Sequence, residues 1–310
     1  MSRLTVALLA CAIALTACTS GGTTSTSGGT TSYSAEVGST DLYAKAPQRF
    51  QIGVFRSSDQ GVQLLTSGTI DIQISPFEGG SGTPLQGTAQ YVGAPGTGAD
   101  TGSPQLTDPS TARGVYEFDG TFDAAGVWQA MVDFDVDGGH QTLSAVFPVA
   151  AKPTLPAPGE RALPSQNLTM TSHVDPAAID SRAQGGTPVP DPELHQDTIA
   201  GAIATHRAAL VLFATPVYCQ SQFCGPSTDA LEQIAKTGPK DADYIHVEIY
   251  ANYNSSPPKI NSAAAQWLLR NNDLREPWLY LIAPNGTIAD RWGPLFDPSQ
   301  VMTELRRVAG

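Results

Sequence analysis

A strict alternation of apolar and polar side chains runs through Trp128, Ala130, Val132, Phe134 and Val136. A two-residue period places every second side chain on one face, so this stretch reads as a half-buried strand and not as a helix. Asp137-Gly138-Gly139 follows as a hairpin turn signal, and Leu143, Ala145 and Phe147 return as the partner strand. Phe50, Ile52 and Val54 alternate in the same way, as do Ile70, Ile72 and Ile74. Residues 79–114, rich in Gly, Thr, Ser and Pro, read as loop with a short strand near Tyr91. No helical period appears between residues 41 and 150. The expectation for 41–150 is therefore an all-β domain, closed as a small antiparallel sandwich.

Beyond residue 150 the pattern changes. Residues 151–165 contain four prolines and cannot form a helix or a central strand, so they read as a stiff linker or edge segment. A short strand is expected around Leu168–Met170, then a loose stretch over 180–192. From Asp191 helices and strands alternate, which makes 166–310 an α/β domain. Asp191-Pro192-Glu193 predicts a helix start, with an apolar face reaching about His206. Ala208–Ala214 is a continuous apolar run, the signature of a strand covered on both faces. Helices are expected over 228–236, 263–269 and 299–308. Strands are expected over 244–250, 278–282 and 287–291, the last two joined by the turn Ala283-Pro284-Asn285-Gly286.

The N-terminus reads as an export signal. Arg3 precedes an apolar run, Leu4–Leu15, that is too short to cross a bilayer, which takes roughly 20 residues. The run ends in Leu15-Thr16-Ala17-Cys18, which resembles the bacterial lipobox. That resemblance implies a signal peptide over 1–17, lipidation of Cys18, and a protein held by its lipid at the outer face of the cytoplasmic membrane. Residues 18–40, largely Ser, Thr and Gly, are expected to be a flexible tether. The formal net charge of −12 argues against nucleic acid as a partner and against docking on anionic lipid.

Of four cysteines, Cys11 lies in the signal segment and Cys18 at the lipid site. Cys219 and Cys224 remain, and in an oxidising compartment they form either a disulfide or a redox-cycling dithiol. On an ideal helix, residues five apart have Cα atoms about 9 Å apart. A disulfide needs less than about 7 Å. Either Cys219 precedes the helix, or the first helical turn unwinds on oxidation.

The succession helix, strand, cysteine-bearing turn, helix, strand, helix, strand, strand, helix resembles a thioredoxin-like domain. Glu276-Pro277-Trp278 stands where that family has a cis-proline opposite its cysteines. The resemblance implies that Cys219 attacks, that Cys224 resolves, and that Pro277 shapes a groove for a protein thiol or disulfide partner. Two departures accompany it. The strand before the site, Leu210–Phe213, carries no acid to assist proton transfer, and Tyr218 replaces the usual Trp. Cys224-Gly225-Pro226-Ser227 also looks like a C-G-P-C site with its second thiol lost. Thr215-Pro216 ahead of the cysteines resembles the bacterioferritin-comigratory peroxiredoxins, with the threonine one position too early. In the N-terminal domain, the run Gly114–Trp128 is similar to the late strands of immunoglobulin-like, YtkA-type exported domains.

Two functions follow. One is an extracytoplasmic thiol–disulfide oxidoreductase acting on proteins. The other is a non-catalytic binding or assembly lipoprotein whose Cys219–Cys224 disulfide is structural. No cofactor and no metal site is expected. Asp133, Asp135, Asp137 and Gly138 open like a calcium loop, but Ser144 stands where its closing Glu belongs, and the carboxylates fit a solvated strand face. Sco-type copper chaperones use a different cysteine spacing. His140, His173, His195, His206 and His246 are scattered, and none forms a recognisable triad with Cys219.

Overall fold

The computed structural model describes residues 31–95, 102–110, 113–219 and 223–310. The expected signal segment, Cys18 and the tether up to residue 30 lie outside them. The tether expectation is corrected at its C-terminal end. Ser32–Val37 forms a strand, β1, paired antiparallel with the next strand from Tyr33↔Arg56 to Val37↔Ile52. Tyr33, Ala35 and Val37 all turn inward onto the core, which is what orders a segment of such polar composition.

The molecule is predominantly β. The N-terminal part comprises β1, β2 (Pro47–Ser58), β3 (Gly61–Thr66), β4 (Thr69–Pro76), β5 (Leu85–Gly93), β6 (Gln105–Thr107), β7 (Gly114–Thr121), β8 (Gly126–Val136) and β9 (Gly139–Val149). They make one antiparallel sheet in the order β6-β3-β2-β7-β5-β4-β8-β9, with β1 on β2. β1 also lies beside β9, so the sheet curls round a single core. Phe50, Tyr116, Phe122, Trp128 and Phe147 meet there. β8 alternates as its sequence predicts, with Trp128, Ala130, Val132, Phe134 and Val136 buried. Asp137 and Gly138 turn the β8–β9 hairpin with φ of 52° and 75°, the left-handed pair a two-residue turn requires. The loop reading of 79–114 is corrected: β5 spans nine residues and β6 lies within the same stretch. Only Ala89, Tyr91 and Val92 of β5 are buried, too few to give a clear period.

A second sheet has four strands, β10 (Ala208–Ala214), β11 (Ala242–Glu248), β12 (Trp278–Ile282) and β13 (Ile288–Trp292), in the order β11-β10-β12-β13. β10 runs parallel to β11 and antiparallel to β12, and β12 and β13 form a hairpin. Helices α1 (Ile199–Ala204), α2 (Cys224–Thr237), α3 (Ser262–Leu268) and α4 (Pro298–Ala309) pack on this sheet. Every residue of β10 is buried, because one apolar cluster with α3 covers one face and another with α2 and α4 covers the other. Among the described residues, no helix is long and apolar enough to cross a membrane.

Three local expectations change. Leu168–Met170 is not a strand. The helix expected to run from Asp191 to His206 is two pieces, a 3-10 turn over Pro192–His195 and then α1. Thr198 caps α1 by accepting from the Gly201 amide at 2.9 Å, whereas Asp191 makes no cap and pairs with Arg182 at 2.8 Å instead. His206 lies just past α1 with φ of 55°, where its Nδ1 is 3.1 Å from the Pro284 carbonyl.

The two sheets meet through charged side chains. Asp41, buried, receives Arg291 of β13 at 2.8 Å and the backbone amides of Thr154 and Leu155 at 2.8 and 3.1 Å. Arg291 also donates to the Asp41, Leu155 and Pro156 carbonyls and lies over Trp278 and Tyr43. Arg49 of β2 grips Asp290 with two bonds, of 2.9 and 2.7 Å. The proline-rich stretch 151–165 is thus packed into the contact, with Leu155, Ala157 and Ala162 buried.

Candidate functional site

The chain leaves the end of β10 through Thr215-Pro216 and reaches Cys219, half-buried, in the turn ahead of α2. Cys224 is the first residue of α2 and is fully buried. The two form a disulfide with Cα atoms 5.9 Å apart. Of the two arrangements the spacing allows, the first applies: Cys219 stands before the helix, so the bond forms without unwinding it. The Cys224 amide points at Cys219 Sγ at 3.3 Å. An amide at a helix N-terminus favours negative charge on that sulfur. The first turn of α2 is held by Ser227, whose amide donates to Phe223, and by the Thr228 hydroxyl, which donates to the Cys224 carbonyl at 2.9 Å.

Pro277 comes to the same end of the sheet. Phe213 of β10 pairs with Trp278 of β12, so Pro277 lies where β10 releases the cysteine loop. Pro277 is buried, and the Glu276–Pro277 peptide is cis. Glu276, which sequence reasoning passed over, brings a carboxylate oxygen within 4.8 Å of both sulfurs. β10 itself carries no acid, and Glu276, two residues ahead of β12, brings one to this end of the sheet. Its only sequence signal was adjacency to Pro277.

Tyr218, the residue before Cys219, lines a cleft between the 175–186 segment and the short ribbon Tyr250–Asn252, which pairs with Lys259–Ile260. Tyr218 stacks on Tyr253 with centroids 3.9 Å apart, and Tyr250 meets both edge-on. Tyr218 and Tyr253 remain partly exposed, so this wall offers aromatic surface one residue before Cys219.

Behind the cysteine loop is a buried polar cluster. Asp180 is fully buried and receives Arg182 through Nε and Nη2, the closest contact being 2.7 Å. His195 and His246, both fully buried, lie 3.5 and 3.3 Å from its Oδ2. Burial opposes charge on Asp180, but the neighbouring His195, His246 and Arg182 outweigh it and hold the carboxyl well below the usual carboxylate range. Burial pushes the His195 imidazole down, towards its neutral form. Glu248, also buried, accepts from the Ser181 amide at 2.8 Å, and burial pushes its carboxyl up. Ser181 in turn accepts from the Val217 amide at 3.2 Å, so the cluster is tied to the loop that carries Cys219.

The remaining residues singled out from sequence stay apart from this site. Asp133 and Asp135 face outward on β8, where His140 lies 3.7 and 3.0 Å from them. His173 is in a loop of the C-terminal part. No protein-family model, no curated protein and no solved structure matches this chain.

Proposed function

We propose that the chain is a thiol–disulfide oxidoreductase acting on partner proteins, built on a thioredoxin-like C-terminal unit. Support for that unit comes from the sheet order β11-β10-β12-β13 with only β11 parallel to β10, from the cysteines at the β10–α2 junction, and from the cis-proline opening β12. The observation that carries the function is the asymmetry of the disulfide: Cys219 is half-buried, next in the chain to Tyr218 of the cleft wall, and Cys224 is fully buried.

In the reduced protein, the Cys219 thiolate attacks a partner disulfide. A mixed disulfide forms and one partner sulfur leaves as thiolate. The Cys224 thiolate then attacks Cys219 Sγ, closes the Cys219–Cys224 bond and releases the second partner thiolate. Two electrons pass from this protein to the partner, and the reverse sequence oxidises a partner dithiol. Glu276 accepts the proton that Cys224 must lose before it can attack. Pro277 and the tyrosine wall receive the partner backbone. The lipobox resemblance places this chemistry at the outer face of the cytoplasmic membrane, on an anchor at Cys18.

The test is the reduction potential of the Cys219–Cys224 pair, with insulin reduction as the activity. A potential in the range of about −270 to −120 mV, with activity lost in Cys219→Ser, supports exchange. A potential below about −300 mV with no activity overturns it and leaves the alternative, a binding or assembly lipoprotein with a structural disulfide.

A further inference from the structure

We propose that Asp180, His195 and His246 form a binding site for one divalent transition-metal ion of the zinc class, buried behind the cysteine loop and separate from the cysteines. The inference does not depend on the exchange reaction.

The first observation is a mismatch of donors and acceptors. His246 Nε2 lies 3.1 Å from the Ala214 carbonyl, which can only accept, so Nε2 carries the hydrogen. In the neutral ring, Nδ1 then presents a lone pair, and it faces Asp180 Oδ2 at 3.3 Å without a hydrogen bond. Neither ring nitrogen of His195 has a hydrogen-bond partner, though the side chain is fully buried. Buried polar atoms are normally satisfied, and those that are not call for an occupant. A cation between these atoms would engage Asp180 Oδ2, His246 Nδ1 and His195 Nε2 together.

The second observation is spacing. Oδ2 of Asp180 is 3.3 Å from His246 Nδ1 and 3.5 Å from His195 Nε2, and the three donors all lie within 4.8 Å of one another. A tetrahedral zinc ion with ligands at about 2.0–2.1 Å separates its donors by about 3.3–3.4 Å. The edge to His246 has that length, and the edge to His195, at 3.5 Å, is slightly longer. Oδ2 already accepts from Arg182 Nη2 at 2.7 Å, and a carboxylate oxygen has a second lone pair to offer a metal. The fourth corner is left for a water molecule.

The third observation is the surroundings. A metal-bound histidine usually gives its other N–H to a carbonyl or carboxylate, as His246 does to Ala214. Asp180 and Asp191 set two carboxylates against one guanidinium, Arg182, which leaves an excess of negative charge for a cation. Two imidazoles and a carboxylate suit zinc and its neighbours in preference to calcium or magnesium. Because Ser181 and Arg182 hold both this site and the approach to Cys219, an ion here would brace the loop that presents the disulfide.

The test uses the full chain, oxidised and stripped with a chelator, titrated with cobalt(II) as spectroscopic probe and with zinc. One equivalent is expected to bind, giving the strong visible bands of a tetrahedral nitrogen–oxygen site without thiolate charge transfer. His195→Ala and His246→Ala should each weaken binding by more than about 100-fold. Cys219→Ser/Cys224→Ser should leave it unchanged, which excludes a metal held by the reduced cysteines and Glu276. Should the histidine variants not fold, zinc X-ray absorption on the unaltered chain decides. Two imidazoles and no sulfur in the scattering support the site. A sulfur shell, or no stoichiometric uptake, overturns it and leaves Asp180 and His246 as a buried ion pair.

Discussion

The two sheets bury different chemistry. The core enclosed by β1 to β9 is aliphatic and aromatic; Gln51, Thr66, Ser67 and Glu117 are buried in that region without being completely enclosed, and the carboxylates of β8 face solvent. Around β10 the interior also takes in Asp180, His195, His246, Glu248, Thr215, Ser227 and Thr228. Apolar burial stabilises with little demand on geometry, at about 25 cal/mol per Å². A buried polar group adds stability only when its partners are in place, and costs about 1–3 kcal/mol when they are not. The contrast agrees with placing the proposed exchange reaction in the second region, since groups that destabilise a fold cluster where they are used.

The largest effect that sharpens this contrast is expected from Cys219→Ser. Disulfide exchange should fall to the buffer background while the melting of the N-terminal sheet is unchanged, measured by insulin turbidity and circular dichroism. Trp128→Ala should do the opposite. Removing that fully buried ring is expected to cost about 3–5 kcal/mol in denaturant titration while leaving the Cys219–Cys224 potential where it was. If the potential moves with it, the regions are not separable as stated. Asp41→Ala breaks the contact between them and strands the Arg291 guanidinium, with an expected loss of about 3–5 kcal/mol. A two-step unfolding curve in that variant would mark Asp41 as the clamp that makes the molecule melt as one.

Glu276→Gln is expected to slow exchange by about 100-fold with little change in stability, and to flatten the pH dependence of the step that closes the disulfide. An unaltered profile would remove Glu276 from the proposed proton transfer. The smallest effect is expected from Glu117→Gln on β7. Burial pushes the Glu117 carboxyl up, against the help of Gln51 and Arg49. The native state therefore holds its proton more tightly than the unfolded chain, and stability falls as pH rises from the unfolded value of about 4.3 through the raised native one. The amide variant escapes that fall. It should be more stable at pH 7 by less than about 1 kcal/mol, with the gain gone below pH ~4. A constant gain at all pH values would point to packing instead.

Much of the framework was legible. The β8 alternation, the Asp137-Gly138 turn, the apolar β10 and the α2 and α4 helices stand where residue periodicity puts them. These elements bury one face or both and so carry a strong pattern. β1 is missed and β5 is read only as a short strand near Tyr91 because Ser, Thr and Gly dominate their surroundings, although Tyr33, Ala35 and Val37 alternate correctly. The helix at 192–206 was over-extended because its apolar spacing persists across the break that Thr198 caps. At the site, Cys219 and Cys224 announced themselves by spacing. Glu276 did not, because reading along β10 gives no access to the strand that lies beside it. Asp180, His195 and His246 come from a 3-10 segment, a turn and a strand, and no local pattern links them.

The clamp at Asp41 bears on how this protein can be cut. Residues 166–310 look self-sufficient, yet the counter-charge for Arg291 comes from a residue ahead of β2, and the carbonyls of Leu155 and Pro156 complete its shell. A fragment begun at residue 166 would carry an orphaned guanidinium between Trp278 and empty space. Expression of the C-terminal portion by itself therefore has to include the 151–165 segment and to neutralise position 291.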